Sequence, residues 1–351
     1  MAAYLLRRLL LMIPTLIGIM GLTFLVVQFV PGGPVERLIS QMKHHPDGEV
    51  GGGGSGSGPA YRGANGLDPE QIQALEKLYG FDKPPLERFV RMLWNYARFD
   101  FGASYYHDKQ VVDLVIEKLP VSISLGLWTF LLTYLISIPL GIRKAVRHGS
   151  RFDTVTSTIV LVGYSIPGFV LGILLVVLFG GGSFWDLFPI RNLVSDDWES
   201  LAWPARIADY LWHMALPLTA SVLGSFAVMT MLTKNSFLEE MSRQYVITAR
   251  AKGLEERSVL YGHVFRNAMI PLITGFPGSF VAAFFSGSLL IETIFNLDGL
   301  GLLGFDSVMN RDYPVVMATL YFFTLLGLLT RIVTDLTYVL VDPRITFEGA
   351  E

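Results

Sequence analysis

The residue types that usually carry catalytic or metal chemistry are sparse in this sequence. It contains no cysteine, which excludes disulfides, thiolate metal sites and cysteine nucleophiles. Its six histidines are scattered apart from the neighbours His44 and His45, and neither HExxH nor CxxC spacing occurs, so we expect no metal site. The sequence also lacks a GxxxxGK(S/T) segment, which holds nucleotide phosphates in P-loop proteins. We therefore predict neither catalytic residues nor a cofactor bound by this chain.

The stretch 234–267 has the composition of a segment that contacts a partner. It is far more polar than the sequence on either side, and it is too long for a simple turn between helices. The pattern predicts a helix over 239–251, which Gly253 ends, and a second short helix from about Glu255. Helix, glycine and helix together predict a short rod that projects from its surroundings.

The spacing within this rod leaves two interpretations open. Small Ala249 and Ala251 beside Gly253 would let the surface of another protein approach closely, while Arg250 and Lys252 would supply charge at the rim of that contact. Alternatively, the basic residues would favour an amphipathic segment that lies on anionic lipid head groups.

Three charged residues lie within or beside apolar runs. Arg331 and Asp335 are four apart and would share one helix face. Because a lone charge in hydrocarbon costs at least ~2.5 kcal/mol, we predict that these two pair with each other, and a role in gating is the alternative. Glu292 follows another apolar run, and we expect it to lie at the membrane interface.

Helix-breaking and small residues within apolar runs mark bends, close packing or cavities. Pro167 with Gly168, and Pro277 with Gly278, are the best examples. Packing is the favoured explanation of the small residues near position 286, and a substrate pathway is the alternative. The candidate pathway or gating residues are Ser165, Pro167, Pro277, Ser286, Arg331 and Asp335.

These residues belong to a chain with the composition of a membrane protein. Of its 351 residues, 52% are hydrophobic and 16% charged, against about 25% charged in a typical soluble domain. A span needs about 20 apolar residues. The sequence predicts an all-α polytopic membrane protein with six spans, at about 9–30, 121–142, 155–179, 214–233, 269–291 and 315–341.

The distribution of Lys and Arg predicts the orientation. The short loops 180–213 and 292–314 hold three basic residues between them, and we place these loops outside. Both termini are then cytoplasmic. The basic residues placed inside are Arg7, Arg8, Arg143, Lys144, Arg147, Arg151, Lys234, Arg243, Arg250, Lys252, Arg257, Arg266 and Arg344.

The sequence divides into three parts. Residues 1–30 form the first transmembrane helix, and 31–120 form a periplasmic loop with a Gly-rich flexible segment at 46–66. Two short helices follow that segment, one from Asp68 to about Gly80 and one from about Pro85. Residues 121–351 form the core with five further spans and the polar stretch 234–267.

Several motifs resemble those of one family along nearly the whole chain. The segments 244–254 (QYVITARAKGL) and 263–271 (HVFRNAMIP) are similar to the coupling motif of ABC-importer permeases, most of all the B-type subunits of dipeptide, oligopeptide and nickel importers. The general motif begins Glu-Ala-Ala where this chain has Ile247, Thr248 and Ala249, a departure that peptide permeases share. The Gly-rich insertion and the loop 180–213 resemble the Yej-type peptide permeases. Other matching segments are 4–9, 31–34, 79–84, 99–102, 165–167, 296–301, 311–314 and 341–344.

The resemblance implies a type I ABC importer permease fold and a division of labour between subunits. A second homologous permease would complete the pathway, a separate ATPase would bind ATP and magnesium, and a periplasmic binding protein would deliver an oligopeptide, with peptide antibiotics such as microcin C as plausible cargo. The chain itself would be no enzyme. The residues that would couple to the ATPase are Tyr245, Thr248, Ala249, Arg250, Ala251, Lys252, Gly253 and Leu254.

Other function classes fit less well. An ion-coupled secondary transporter would show internal repeats and buried carboxylates, but no clear repeat is found and Asp335 is the one deep carboxylate. An intramembrane enzyme would need convergent catalytic groups, and His213 is the one histidine near a span. The net charge of −3, without a basic tract interleaved with aromatics, argues against a nucleic-acid partner.

Overall fold

The computed structural model describes residues 2–29, 83–107, 109–180, 184–285 and 288–341. The predicted flexible segment 46–66, the helix expected from Asp68, and Ser286 and Arg344 lie outside these residues. Within the described ranges the structure is helical, and its strand-like pairing is the isolated bridge between Ala103 and Gln110.

Eleven helices are labelled here in chain order, with shorter helical segments between them. The first six are α1 (Ala2–Phe29), α2 (Pro85–Tyr96), α3 (Val111–Val146), α4 (Arg151–Ser165), α5 (Gly168–Phe179) and α6 (Trp203–Met241). The other five are α7 (Gln244–Ala251), α8 (Ile270–Phe285), α9 (Leu289–Ile294), α10 (Leu300–Asn310) and α11 (Tyr313–Val341). The shorter segments are Trp198–Ser200, Glu256–Ser258, Val259–Val264 and Phe265–Ala268.

The helices long and apolar enough to cross a membrane coincide with predicted spans. Within the described residues there are four, from α1, α3, α6 and α11, and α4 with α5 make a fifth if this bent pair counts as one span. The remaining predicted span, 269–291, corresponds to α8, whose apolar part Ile270–Ala283 is shorter. The number six and the orientation therefore remain predictions.

The predicted break at Pro167 is confirmed as a bend of 91° between α4 and α5. Ile166 and Pro167 are extended (φ −91°, ψ 117° and φ −57°, ψ 136°) because proline disfavours a helical residue before it and cannot donate a backbone hydrogen bond. A Cβ on Gly168 would lie 2.8 Å from the carbonyl oxygen of Ala220, so glycine is what allows α5 to start so close to α6.

The chain separates into two compact units. The larger comprises Met1–Met12, Val115–Phe305 and Phe323–Glu351, and the smaller comprises Ile13–Leu114 and Asp306–Phe322. These units cut through helices and differ from the predicted parts 1–30, 31–120 and 121–351, which concern position relative to a membrane and stay predictions.

In the smaller unit, α2 confirms the helix predicted from about Pro85. Phe89 packs on Phe24 of α1 with ring centroids 5.3 Å apart, and Tyr96 is buried among aromatic rings. Leu86 and Trp94 of the same helix are exposed. The helix therefore has two apolar faces, of which one packs within the chain.

The larger unit holds a core where α5, α6 and α9 meet. Met214, Ala220 and Phe295 are almost completely buried there, and Leu175 and Val176 of α5 pack against them. A second cluster, which includes Ile142, Phe237 and Val246, lies where α3, α6 and α7 converge. That second cluster supports the candidate functional site.

Candidate functional site

The polar stretch starts within α6 rather than as a loop. This helix continues to Met241, so the first eight residues of 234–267 are helical. The predicted single helix over 239–251 is wrong because the chain breaks at Ser242 and Arg243. The Ser242 hydroxyl donates to the carbonyl of Glu239 (2.7 Å), which competes with helix continuation, and Arg243 is extended (ψ 147°).

The predicted stop at Gly253 is confirmed. Its φ of +79° lies in the left-handed region that glycine adopts without strain, and its N–H donates to the carbonyl of Arg250 (2.9 Å). The next N–H, from Leu254, donates to the carbonyl of Ala249 (3.4 Å). A Cβ added at Gly253 would meet no heavy atom within 4 Å, so the surface beside it is open.

Two side chains seat α7 on the rest of the chain. Val246 is 0% exposed and Ala249 is 7% exposed, and both belong to the cluster that contains Ile142, Ala145 and Phe237. Ala249 was predicted to lie at a surface open to a partner, but it faces the chain's own core. Its small size allows close packing of α7 instead.

The opposite side of α7 and the turn after it are exposed, and we call this surface the α7 face. Arg250 forms a two-pronged ion pair with Glu256 (2.8 and 3.1 Å), and the Tyr245 hydroxyl donates to Glu240 (2.7 Å). Burial and this bond to Glu240 raise the pKa of Tyr245, so its hydroxyl stays protonated. The α7 face comprises Tyr245, Ile247, Thr248, Arg250, Ala251, Lys252, Gly253 and Leu254.

The segment after Gly253 confirms the second predicted helical region in a less regular form. It consists of Glu256–Ser258, the π-helix Val259–Val264 and Phe265–Ala268. Val259 and Val264 point into the cluster beneath α7. The two helical regions therefore share one core.

Sequence reasoning missed a buried charge cluster next to this core. In the sequence, Lys144 and Lys234 were used only to predict the orientation in the membrane. In the structure both contact Asp153, which is 4% exposed. The Asp153 carboxylate accepts hydrogen bonds from the Lys234 ammonium group (2.7 and 2.8 Å) and from the Gly149 N–H (3.2 Å). Ser150 and Asp153 match the S/T-x-x-D/E helix-start pattern, which could have identified this site.

Glu292 also differs from its prediction. It is 0% exposed rather than interfacial, and its carboxylate accepts the N–H groups of Ser288 (3.1 Å) and Leu302 (2.7 Å). A Cβ on Gly299 would lie 2.6 Å from its carboxyl carbon. Glu292 therefore organises the chain between α9 and α10.

The predicted pair of Arg331 and Asp335 is wrong. Asp335 instead contacts Arg8 of α1 (3.0 Å) and accepts a hydrogen bond from Tyr4 (3.0 Å), while Arg331 is exposed. Sequence spacing could not show this because the partners lie at opposite ends of the chain. A gating role for either residue stays a prediction.

A cavity of about 800 Å³ lies in the larger unit, between α3, α4, α5, α6, α8 and α9. The predicted pathway residues Ser165, Pro167 and Pro277 are not among those that line it. The Ser165 hydroxyl donates to the carbonyl of Leu161 (2.9 Å), and Pro277 is buried in α8. Hydroxyl-bearing side chains are prominent in the wall, namely Ser122, Thr129, Thr133, Tyr134, Tyr164, Ser221, Ser225, Ser279 and Ser288.

Comparison with known proteins identifies the family. Residues 137–347 match the family described as "Binding-protein-dependent transport system inner membrane component". The chain is 59% identical to the peptidoglycan transport system permease protein YejB of Agrobacterium fabrum, covering 99% of both proteins. It is 55% identical to the inner membrane ABC transporter permease protein YejB of Escherichia coli O157:H7, covering 99% of this chain and 100% of that protein.

A more distant relative is the oligopeptide transport system permease protein AppB of Bacillus subtilis, which is 32% identical and matches 99% of this chain and 100% of its own length. The family resemblance predicted from the motifs is thereby confirmed. This chain is a multi-pass inner-membrane protein that belongs to the family of binding-protein-dependent transport system inner membrane components, the permeases of ABC transporters.

Proposed function

We propose that this chain is the permease subunit of an ATP-driven importer that moves peptides from the periplasm to the cytoplasm. The observation that carries the proposal is α7, a helix of about two turns that Val246 and Ala249 seat on the chain's own core. Its other face is exposed next to the end of α6. Such a helix can transmit force from a partner to the helices beneath it.

The α7 face is the proposed docking surface for a separate ATPase. Tyr245, Thr248 and Leu254 offer apolar or hydroxyl contacts, and Arg250 and Lys252 offer charge at the rim. Ala251 and Gly253 have small or no side chains, so the backbone of a partner can approach this surface closely. Ala249 does not lie on this surface, but it fixes the position of α7 by packing into the chain's core.

The proposed assembly follows the type I importer plan. The chain has six spans with both termini in the cytoplasm, and it pairs with a second, similar permease. ATP and magnesium bind to the ATPase, and a periplasmic binding protein delivers the cargo. The family description, which names a binding-protein-dependent system, supports these partners.

Peptides are the proposed cargo, including peptide fragments of peptidoglycan and peptide antibiotics such as microcin C. Two relatives are named for peptidoglycan and oligopeptide transport, and both of these cargoes contain peptide. The hydroxyl groups in the cavity wall can exchange hydrogen bonds with peptide amides. This makes the wall compatible with substrates that differ in side chains.

A substitution at Gly253 tests the docking proposal. Gly253→Trp places a bulky side chain on the α7 face, where an added Cβ meets no heavy atom within 4 Å, at a strain of about 1–2 kcal/mol from the left-handed backbone. We expect normal membrane insertion, loss of ATPase copurification with the tagged chain, and loss of ATP-driven peptide uptake.

Gly102→Trp is the matched control. Gly102 also has a positive φ (+75°) and no heavy atom within 4 Å of an added Cβ, but it belongs to the smaller unit, whereas α7 belongs to the larger one. The control should copurify with the ATPase as the wild type does. Normal ATP-driven uptake by Gly253→Trp, or equal losses in both variants, would contradict the proposal.

A further inference from the structure

We propose that Asp153 is a positioning residue for transport, which links α4 to the helix ends that carry α7, so that movement of α7 reaches the bent pair α4–α5. The inference rests on the proposed function of the α7 face, and it assigns to Asp153 a role that the family match does not specify.

The geometry at Asp153 joins three helices. Lys234 of α6 lies 2.7 and 2.8 Å from the two carboxylate oxygens, and Lys144 of α3 lies 3.5 Å from one of them. The Gly149 N–H donates to the same carboxylate (3.2 Å), and the ring of His148 lies 3.3 Å from it. Asp153 itself is in the first turn of α4.

Lys144 strengthens this junction because it is completely buried. Its ammonium group donates to the carbonyl of Asp153 (3.2 Å) and to the hydroxyls of Thr156 (2.9 Å) and Ser157 (2.7 Å). Three ammonium protons therefore meet three acceptors in the first two turns of α4. A buried charge with this many fixed partners has little freedom to rearrange, so α3 and the start of α4 move together.

The same helix ends support α7. Ala145 follows Lys144 directly, and Phe237 lies one turn after Lys234, and both pack under Val246 and Ala249. At Gly141 an added Cβ would lie 2.5 Å from the Thr233 side chain, so α3 and α6 are in close contact just there. A continuous path of packed and paired side chains therefore connects α7 with Asp153.

At its other end, α4 reaches the cavity. The helix has 15 residues, which corresponds to about 22 Å at 1.5 Å per residue. Tyr164 near its end and Gly168 after the bend both line the cavity. A rigid helix fixed at Asp153 can thus carry a displacement from α7 to the cavity wall.

The test uses the assembled transporter in proteoliposomes and measures peptide taken up per ATP hydrolysed. Asp153→Asn removes the charge at nearly constant size. We expect the amount of assembled complex to change little and the ratio of peptide to ATP to fall about tenfold, a typical size for coupling between sites. Asp153→Glu should restore much of the ratio, since it returns the charge.

Lys234 provides a second, independent pair of variants. Lys234→Met should lower the ratio and Lys234→Arg should retain it, because arginine can still bond the carboxylate. Asp209→Asn is the control. Asp209 is a second hydrogen-bonded carboxylate, with its side chain 15% exposed, and it bonds Ser195 (2.6 and 2.9 Å) near the opposite end of α6, so its loss should leave the ratio unchanged.

The outcomes separate this inference from the proposed function. If the wild-type complex does not couple ATP hydrolysis to peptide uptake, the proposed function fails first. If the wild type couples and Asp153→Asn keeps the wild-type ratio, the role of Asp153 is overturned. The role would also be overturned if Asp153→Asn lost uptake only in proportion to the loss of assembled complex and Asp153→Glu did not restore the ratio of peptide to ATP. Asp153 would then be purely structural.

Discussion

At the scale of single residues, α7 has buried side chains that pack on the chain's core and exposed side chains that form the proposed docking surface. Ala249 and Ala251 are identical in type but two positions apart, which turns them about 200° from each other on a helix. One is therefore buried in the core under α7 and the other is exposed. The predicted coupling motif includes both residues, and the helical period places them on different sides of α7.

Arg250 allows a prediction that distinguishes an internal contact from a partner contact. Its pair with Glu256 is exposed, and such pairs contribute about 0–1 kcal/mol, so breaking it should leave the thermal unfolding midpoint nearly unchanged. We expect Arg250→Ala to reduce ATPase copurification and uptake, because it removes charge from the docking surface.

Glu256→Ala is the matched variant for this prediction, since it breaks the same pair from the other side and keeps Arg250 free to bind a partner. It should copurify with the ATPase at least as well as the wild type. Equal losses in the two variants would mean that the internal pair, and not the docking contact, is what matters at Arg250.

At the scale of elements, local signals in the sequence were sufficient for one bend and one helix end, but not for the break between α6 and α7. Pro167 and Gly253 act on their own backbone, and both behave as predicted. The partners of Asp153, Glu292 and Asp335 could not be predicted in the same way, because they depend on contacts between distant segments. The sequence predicted a different partner for Asp335 and an interfacial position for Glu292, and it did not single out Asp153, whereas each carboxylate has fixed partners in the fold.

The segment between α9 and α10 gives a prediction at this scale. In Gly299→Ala the new Cβ would lie 2.6 Å from the Glu292 carboxyl carbon, and that carboxylate is held by backbone N–H groups. Overpacking of this kind costs about 1–3 kcal/mol, so the unfolding midpoint of the purified chain in detergent should fall.

Gly304→Ala is the control for Gly299→Ala. Gly304 lies within α10, and an added Cβ would have no heavy atom within 4 Å. Alanine is favoured over glycine in a helix by about 1 kcal/mol, so this variant should keep or raise the midpoint. If Gly299→Ala is as stable as Gly304→Ala, the close packing of Glu292 does not stabilise this segment.

At the scale of the whole molecule, the chain leaves large apolar surfaces for its surroundings. In α1, only 6% of the most apolar window is buried within the chain. The contact of Arg8 with Asp335 anchors the start of this helix to α11, but most of its apolar surface needs lipid or another subunit. This agrees with a membrane subunit that works within an assembly.

The natural absence of cysteine makes the predicted orientation directly testable, because single cysteines can be introduced without removing others. Thr248 on the α7 face and Ser200 before α6 are both exposed. In right-side-out vesicles, a membrane-impermeant maleimide should label Ser200→Cys and should label Thr248→Cys only after the vesicles are opened. Ser137→Cys, at a position that is 0% exposed, should stay unlabelled until the protein is denatured. Since α6 is the one span between Ser200 and Thr248, labelling of both from the same side would contradict the predicted topology and, with it, the cytoplasmic position of the proposed docking surface.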